Sequence, residues 1–316
     1  MLALTLATTI HIGVLGSFHP VELSVKPAGN TVIVVDKSGK TEVLHATQWA
    51  RLDGPAKITG LKGSFARFII RLPNGTHREY YGRLEVRRHA SELQLIVEMD
   101  RELAVASILA AEAADALPQE ALRAQAIVAR SYMLAINGRH AGFDMCDSTH
   151  CQKLGAPPAG NSAAAKAALA TRGEVLTYQG KIIPALYSAN CGGHTRPFGT
   201  NDGLSGYSFT SVACLRHGHV SGHGVGLCQL GARDMANSGA DAVAILEHYF
   251  PGTQIDIDGA TPKARQLPTA WQTENRMRSR QTLRGPSADM GAHAASSAPD
   301  KFVPPTSHAP AHAAAS

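Results

Sequence analysis

Near residue 100 the hydrophobic period of this chain changes from two to between three and four, and that switch limits what it can fold into. Upstream, TIHIGVL, VELSV, TVIVVD, TEVLHA, RFIIRL and ELQLIVEM are short aliphatic, β-branched runs. Gly, Pro, Asn or a Lys-Ser-Gly-Lys tetrapeptide separates them, as turns separate strands, and the spacing predicts roughly six to eight strands. Downstream, residues 102–116 and 118–137 carry helical spacing broken at Leu117-Pro118. Pro118 suits the first helical position, and Glu120 the first turn, where a carboxylate favours the helix dipole. Gly138 suits the stop. Asn161 can cap a helix running to Arg172, EVLTYQGKIIPALYSAN reads as a hairpin, and residues 192–231 read as Gly-rich strands and loops. A last helix is expected around Asp241 to Tyr249. The class implied is α+β. A strand-rich N-terminal region (1–99) precedes a mixed helical and strand domain enclosing a cleft (100–262). A low-complexity basic tail (263–316) of Ala, Pro, Ser and His reads as disordered.

Charge excludes one class of partner. Of a net +5, the tail supplies most, with seven Lys/Arg against three Asp/Glu after Pro262. The remaining body is near neutral, which argues against a nucleic-acid footprint. No apolar run of about 18 residues is present, so no transmembrane segment is expected. The apolar start MLALTLATTIHIGVLG has no Lys or Arg before it and no clear cleavage site, so it makes a poor signal peptide.

Val105, Ile108, Leu109 and Glu112 follow i, i+3, i+4, i+7 spacing, which places a carboxylate on an apolar stripe. Desolvation there raises a carboxyl pKa and keeps it protonated nearer neutrality, the state a general acid needs. The plainer alternative ends the stripe at a solvent edge, or pairs Glu112 with an arginine. Arg130, in the Ala-rich second helix, is either a surface residue or a group that orients Glu112 or a substrate. His140, Cys146, His150 and Cys151 lie within twelve residues. Two imidazoles and two thiolates can close a four-coordinate structural Zn²⁺ site. A Cys146–Cys151 disulfide and free thiols are the alternatives. Cys191, Cys214 and Cys228 read as buried thiols.

ILAAEAADALPQEALRAQAIVARSYMLA closely resembles the signature of the SpoIID/LytB family. MCDSTHCQ, YSANCGGHT, GHGVGLCQLGARDMA and ILEHYFPG follow in the family's order, from Ile108 to Gly252. The resemblance implies a peptidoglycan lytic transglycosylase acting on glycan strands, best known in sporulation on strands stripped of peptides. It implies Glu112 as the catalytic glutamate and Arg130 as the active-site arginine. Tyr187, Ser188, His223 and Gln229 become candidate substrate-binding residues, and zinc is implied at the His/Cys cluster. An extracytoplasmic location follows from the function. Some members of the LytB branch instead modify amidases, so a non-catalytic module that activates a cell-wall amidase is the competing expectation. A zinc hydrolase is disfavoured, because four protein ligands leave no open position.

Overall fold

The computed structural model describes residues 9–29, 31–112, 117–136, 139–199 and 206–258. The expected stop at Gly138 and the 263–316 tail lie outside the described residues. The architecture is α+β. Nine strands fill the described part of the N-terminal region: β1 (Thr9–Val14), β2 (Leu23–Pro27), β3 (Val32–Asp36), β4 (Thr41–Leu44), β5 (Ala50–Leu52), β6 (Ala56–Thr59), β7 (Ala66–Arg71), β8 (His77–His89) and β9 (Glu92–Asp100). With β10 (Met145–Cys146) they make one nearly closed ten-stranded sheet in the order β10-β1-β9-β8-β6-β3-β4, with β7, β2 and β5 branching from β8.

Nine strands exceed the six to eight expected from sequence, and the surplus has a physical reason. β8 reads HREYYGRLEVRRH, where outward Arg, Glu and His hide the alternation of buried Tyr80, Leu84 and Val86. An antiparallel sheet with one solvated face tolerates that pattern. This strand also produces the branching. Its first half pairs with β7, and its second half pairs with β6 on the same edge. Gly82 sits at the changeover, where a Cβ would lie 2.2 Å from the Glu98 carbonyl oxygen, so a side chain there is excluded.

Helix α1 (Arg101–Glu112) begins where the Asp100 carboxylate accepts the backbone N–H groups of Glu102 and Leu103, at 2.9 and 3.2 Å. Its residues are buried from Arg101 to Leu109, on every side. The expected one-sided stripe is thus part of a central helix that emerges only at Ala110. Helix α2 (Gln119–Ala135) starts one residue after the predicted position, with Pro118 extended (ψ 155°) as its cap. Helix α3 (Ala163–Ala170) is capped by Ser162, whose hydroxyl accepts from Ala165 N–H at 3.2 Å, and not by Asn161.

The expected hairpin is β11 (Glu174–Tyr178) and β12 (Lys181–Ile182), joined through Gln179 and Gly180, both left-handed. The chain continues through β13 (Tyr187–Ser188), β14 (Phe198–Gly199), β15 (Ser208–Phe209), β16 (Leu227–Cys228), α4 (Gln229–Asn237), α5 (Ala242–Tyr249) and β17 (Gln254–Ile257). Asp241 caps α5 through its carboxylate, which accepts the Ala244 N–H at 2.9 Å.

Helix α2 is the shared wall of two cores. Leu122, Ala126, Ala129 and Met133 pack on the side of the sheet, α1 and α3. Ala121, Ala124, Ile127 and Val128 face α4, α5, β11 and the β13–β16 pair. Alanine on both faces lets neighbouring elements approach closely, and the sheet core runs unbroken into α1, α2 and α3.

Candidate active site

Glu112 ends α1 where the helix leaves the core, half-buried. Burial raises its carboxyl pKa, and the exposed Lys153 nearby pulls it back partway. Among the described residues its carboxylate has no hydrogen bond or ion pair. Gln229, buried at the start of α4, donates its amide to the Glu112 backbone carbonyl at 3.4 Å. Tyr187 stands close enough for the Glu112 charge to add to the burial that pushes its phenol well up. The Tyr187 hydroxyl donates to Gln152 Oε1 at 3.4 Å, and Gln152 in turn donates to the Ala129 carbonyl of α2 at 3.0 Å. His223 lies exposed beside the Tyr187 backbone. Partial burial of its ring holds it below the usual histidine value, so it is neutral near pH 7, and its Nδ1 accepts the Val225 N–H at 3.1 Å. Tyr187 and Gln229 therefore stand at the Glu112 end of α1, with His223 against the Tyr187 backbone.

The glycines of GHGVGLCQ make that gathering possible. Gly226 has φ +73°, and a Cβ on it would meet the Leu186 carbonyl oxygen at 2.1 Å. Only glycine allows β16 to run beside β13 there, with Tyr187 opposite Leu227 in parallel register.

Two expected site residues are placed elsewhere. Arg130 is 1% exposed and points away from Glu112. Its Nε and Nη2 donate to the two carboxylate oxygens of Glu102 at 3.1 and 2.5 Å, and its remaining donors reach the carbonyls of Ala126, Ala168 and Glu174. A guanidinium with every side occupied inside the core ties α1, α2, α3 and β11 together, so the expected contact with Glu112 or substrate is corrected to a positioning role. Ser188 is 5% exposed, and its hydroxyl has no partner among the described residues. It lies within the wall, not on its surface. Sequence reasoning missed Gln152 and Lys153, although both directly follow the HC pair of the MCDSTHCQ segment. It also missed Glu102, the buried partner of Arg130.

His140, Cys146, His150 and Cys151 do come together, with one ligand atom from each within 4.8 Å of the others. His150 Nδ1 lies 3.6 Å from both sulfurs, and His140 Nε2 lies 3.1 Å from Cys151 Sγ. Tetrahedral zinc with bonds of about 2.3 Å to sulfur and about 2.0–2.1 Å to nitrogen requires N···S edges of about 3.6 Å. The residues fit such an ion. Burial, with Cys146 adjacent, pushes the Cys151 thiol up to about 11. The loop is fastened to the sheet by β10 beside β1 and by Asp147, which accepts from Leu15 N–H at 3.2 and 3.1 Å and from Arg78 at 2.5 Å. A cavity of about 340 Å³ reaches Cys146 and His150 from the side of Val14, Leu93 and Phe143. Its lining includes none of Glu112, Tyr187, His223 or Gln229, so it is separate from the Glu112 site.

Residues 89–178 match the family described as stage II sporulation protein, SpoIID. Over those residues the chain is similar to a SpoIID domain. That match contains Glu112, Arg130 and all four His/Cys ligand candidates, while Tyr187, Ser188, His223 and Gln229 fall beyond it. An uncharacterized protein of Brachyspira hyodysenteriae is 34% identical over 120 residues. The alignment covers 37% of this chain, and the chain spans 33% of that relative's length. A SpoIID domain points to a sporulation-related cell-wall function. No helix of the described residues is long and apolar enough to cross a membrane.

Proposed function

We propose that this protein is a peptidoglycan lytic transglycosylase. It cleaves the bond between N-acetylmuramic acid and N-acetylglucosamine in glycan strands stripped of peptides, outside the cytoplasm. The observation that carries this reading is the Glu112 carboxyl: half-buried, raised in pKa and unpaired among the described residues, near Tyr187, with its backbone carbonyl held by Gln229.

Glu112 protonates the glycosidic oxygen as the bond from that oxygen to the muramic C1 breaks. The carboxylate then takes the proton of the muramic 6-hydroxyl as that oxygen bonds to C1. One proton leaves Glu112 and one returns, no water is consumed, and a 1,6-anhydro end results. A hydrolase of the usual kind needs a second carboxylate. Among the described residues, Glu102 is committed to Arg130, Asp234 to Arg233, and Glu120 to Arg123 and the Ala242 N–H, while Asp115 lies outside the described residues. Asp202 also lies outside the described residues. This distribution favours the one-carboxylate lyase.

Zinc bound by His140, Cys146, His150 and Cys151 completes the reading as a structural ion, since four protein ligands close its coordination shell. The loop it would hold carries Gln152 and Lys153, which position Tyr187 and tune Glu112. Replacing Cys151 by Ser is expected to remove the bound zinc, measured by elemental analysis, and to lower the melting temperature. Retention of a full equivalent of zinc would contradict this assignment.

The pH profile supplies a direct test. The protonated form of Glu112 starts the reaction, so cleavage is lost as pH rises through its raised pKa. Lys153→Met removes a charge that favours the carboxylate, so the alkaline limb should move to higher pH. A limb that stays fixed, or moves down, would separate the acid from Glu112.

A further inference from the structure

Cys191, Cys214 and Cys228 are distant in sequence, yet their sulfurs lie within 4.8 Å of one another inside the second core. All three are free thiols at 4%, 5% and 0% exposure. We propose that they form a second metal site, a trigonal thiolate centre for one soft monovalent cation of the copper(I) class, separate from the His/Cys cluster.

Three features point to a cation. The first is distance. Three points no more than 4.8 Å apart have a common centre within about 2.8 Å of each, so shifts of about half an ångström bring three sulfurs to a metal–sulfur bond of about 2.3 Å. The second is the donor set. No histidine or carboxylate among the described residues joins the three sulfurs. Zinc favours four ligands drawn from such groups, whereas thiolate-only sites favour copper(I).

The third is hydrogen bonding at two of the sulfurs, although Cys228 Sγ also faces the Ala189 carbonyl and Asn190 Oδ1 at 3.9 and 4.0 Å. Cys228 Sγ accepts the backbone N–H groups of Cys191 at 3.3 Å and Gly231 at 3.4 Å, and it caps the positive end of α4. Cys214 Sγ lies 3.3 Å from the Tyr249 hydroxyl. Donors on sulfur stabilise thiolate, the form that binds metal. Gly231 leaves room for them: a Cβ there would lie 2.1 Å from the Tyr249 oxygen and 2.4 Å from Cys214 Sγ. Binding involves no redox step. Each coordinated thiol yields its proton to solvent, and the cation keeps its charge.

The centre would join three segments. Cys191 follows Tyr187 by four residues, Cys228 immediately precedes Gln229, and Cys214 lies in the loop after β15. A cation here would brace both walls beside Glu112 whatever reaction the site performs.

The test uses the full chain, purified under reducing conditions, with Cys146→Ser and Cys151→Ser introduced together to remove the first cluster. Copper(I) alone is titrated anaerobically against a competing copper(I) chelator. One tightly held equivalent is expected, with three sulfur neighbours in X-ray absorption. Adding Cys191→Ala, Cys214→Ala or Cys228→Ala should abolish that equivalent, and any one that retains a cooperative thermal transition suffices. Protein isolated without reductant is also denatured and its thiols counted. Three are expected from this trio. Failure to hold copper(I), tight binding that survives these replacements, four-coordinate zinc taken in preference, or a disulfide between two of the three would each overturn the proposal.

Discussion

Replacing Arg130 by Met is expected to destabilise the protein by about 3–5 kcal/mol, because it leaves the Glu102 carboxylate buried without its partner. The pair is enclosed on both sides, with side chains 2% and 4% exposed. The loss also frees the carbonyls of Ala168 and Glu174 inside the core. Urea unfolding measures the change. Pairing Arg130→Met with Glu102→Leu should recover part of the loss, since an apolar pair costs less than one orphaned charge. An Arg130 that touched substrate would behave differently, with near-normal stability and lost turnover. The geometry predicts instead that any Arg130→Met protein still folded keeps a measurable rate.

Replacing Glu112 by Gln is expected to cut glycan cleavage by about 10²–10⁴-fold, the usual contribution of one acid/base group. Folding should be preserved. Gln is nearly isosteric with Glu, and only the backbone carbonyl of residue 112 is engaged, by Gln229. The substitution removes the transferable proton and nothing else that holds α1. The two replacements therefore have opposite signatures: Arg130 governs stability and Glu112 governs rate.

The chemistry that depends on local sequence was legible, and the chemistry assembled across the chain was not. His140, Cys146, His150 and Cys151 lie within one short segment, so their spacing alone brings them close. Glu112 could be nominated from helical spacing, but its raised pKa comes from the end of a fully buried helix, not from one apolar stripe. Arg130 illustrates the limit. Its partner Glu102 lies 28 residues upstream, on another helix, and nothing in an Ala-rich helix announces a buried ion pair. The three-sulfur cluster likewise exists only after β13, the loop beyond β15 and α4 have packed. The β8 strand escaped notice because charged outward residues dominate its composition, and α4 because it opens inside a Gly-rich stretch. The cap of α3 shifted by one residue, from Asn161 to Ser162, since two adjacent polar residues offer equally good caps.

The central claim is that one proton, given and recovered by Glu112, cuts the glycan without water. Its most direct test is digestion of purified, peptide-free glycan strands by the native chain and by Glu112→Gln, with mass analysis of the new ends. The account predicts 1,6-anhydro ends from the native chain and essentially none from the variant. Reducing ends from the native chain would make it a hydrolase, and equal cleavage by both proteins would remove Glu112 from the chemistry. Cleavage by neither would leave the domain a binding module for the cell wall.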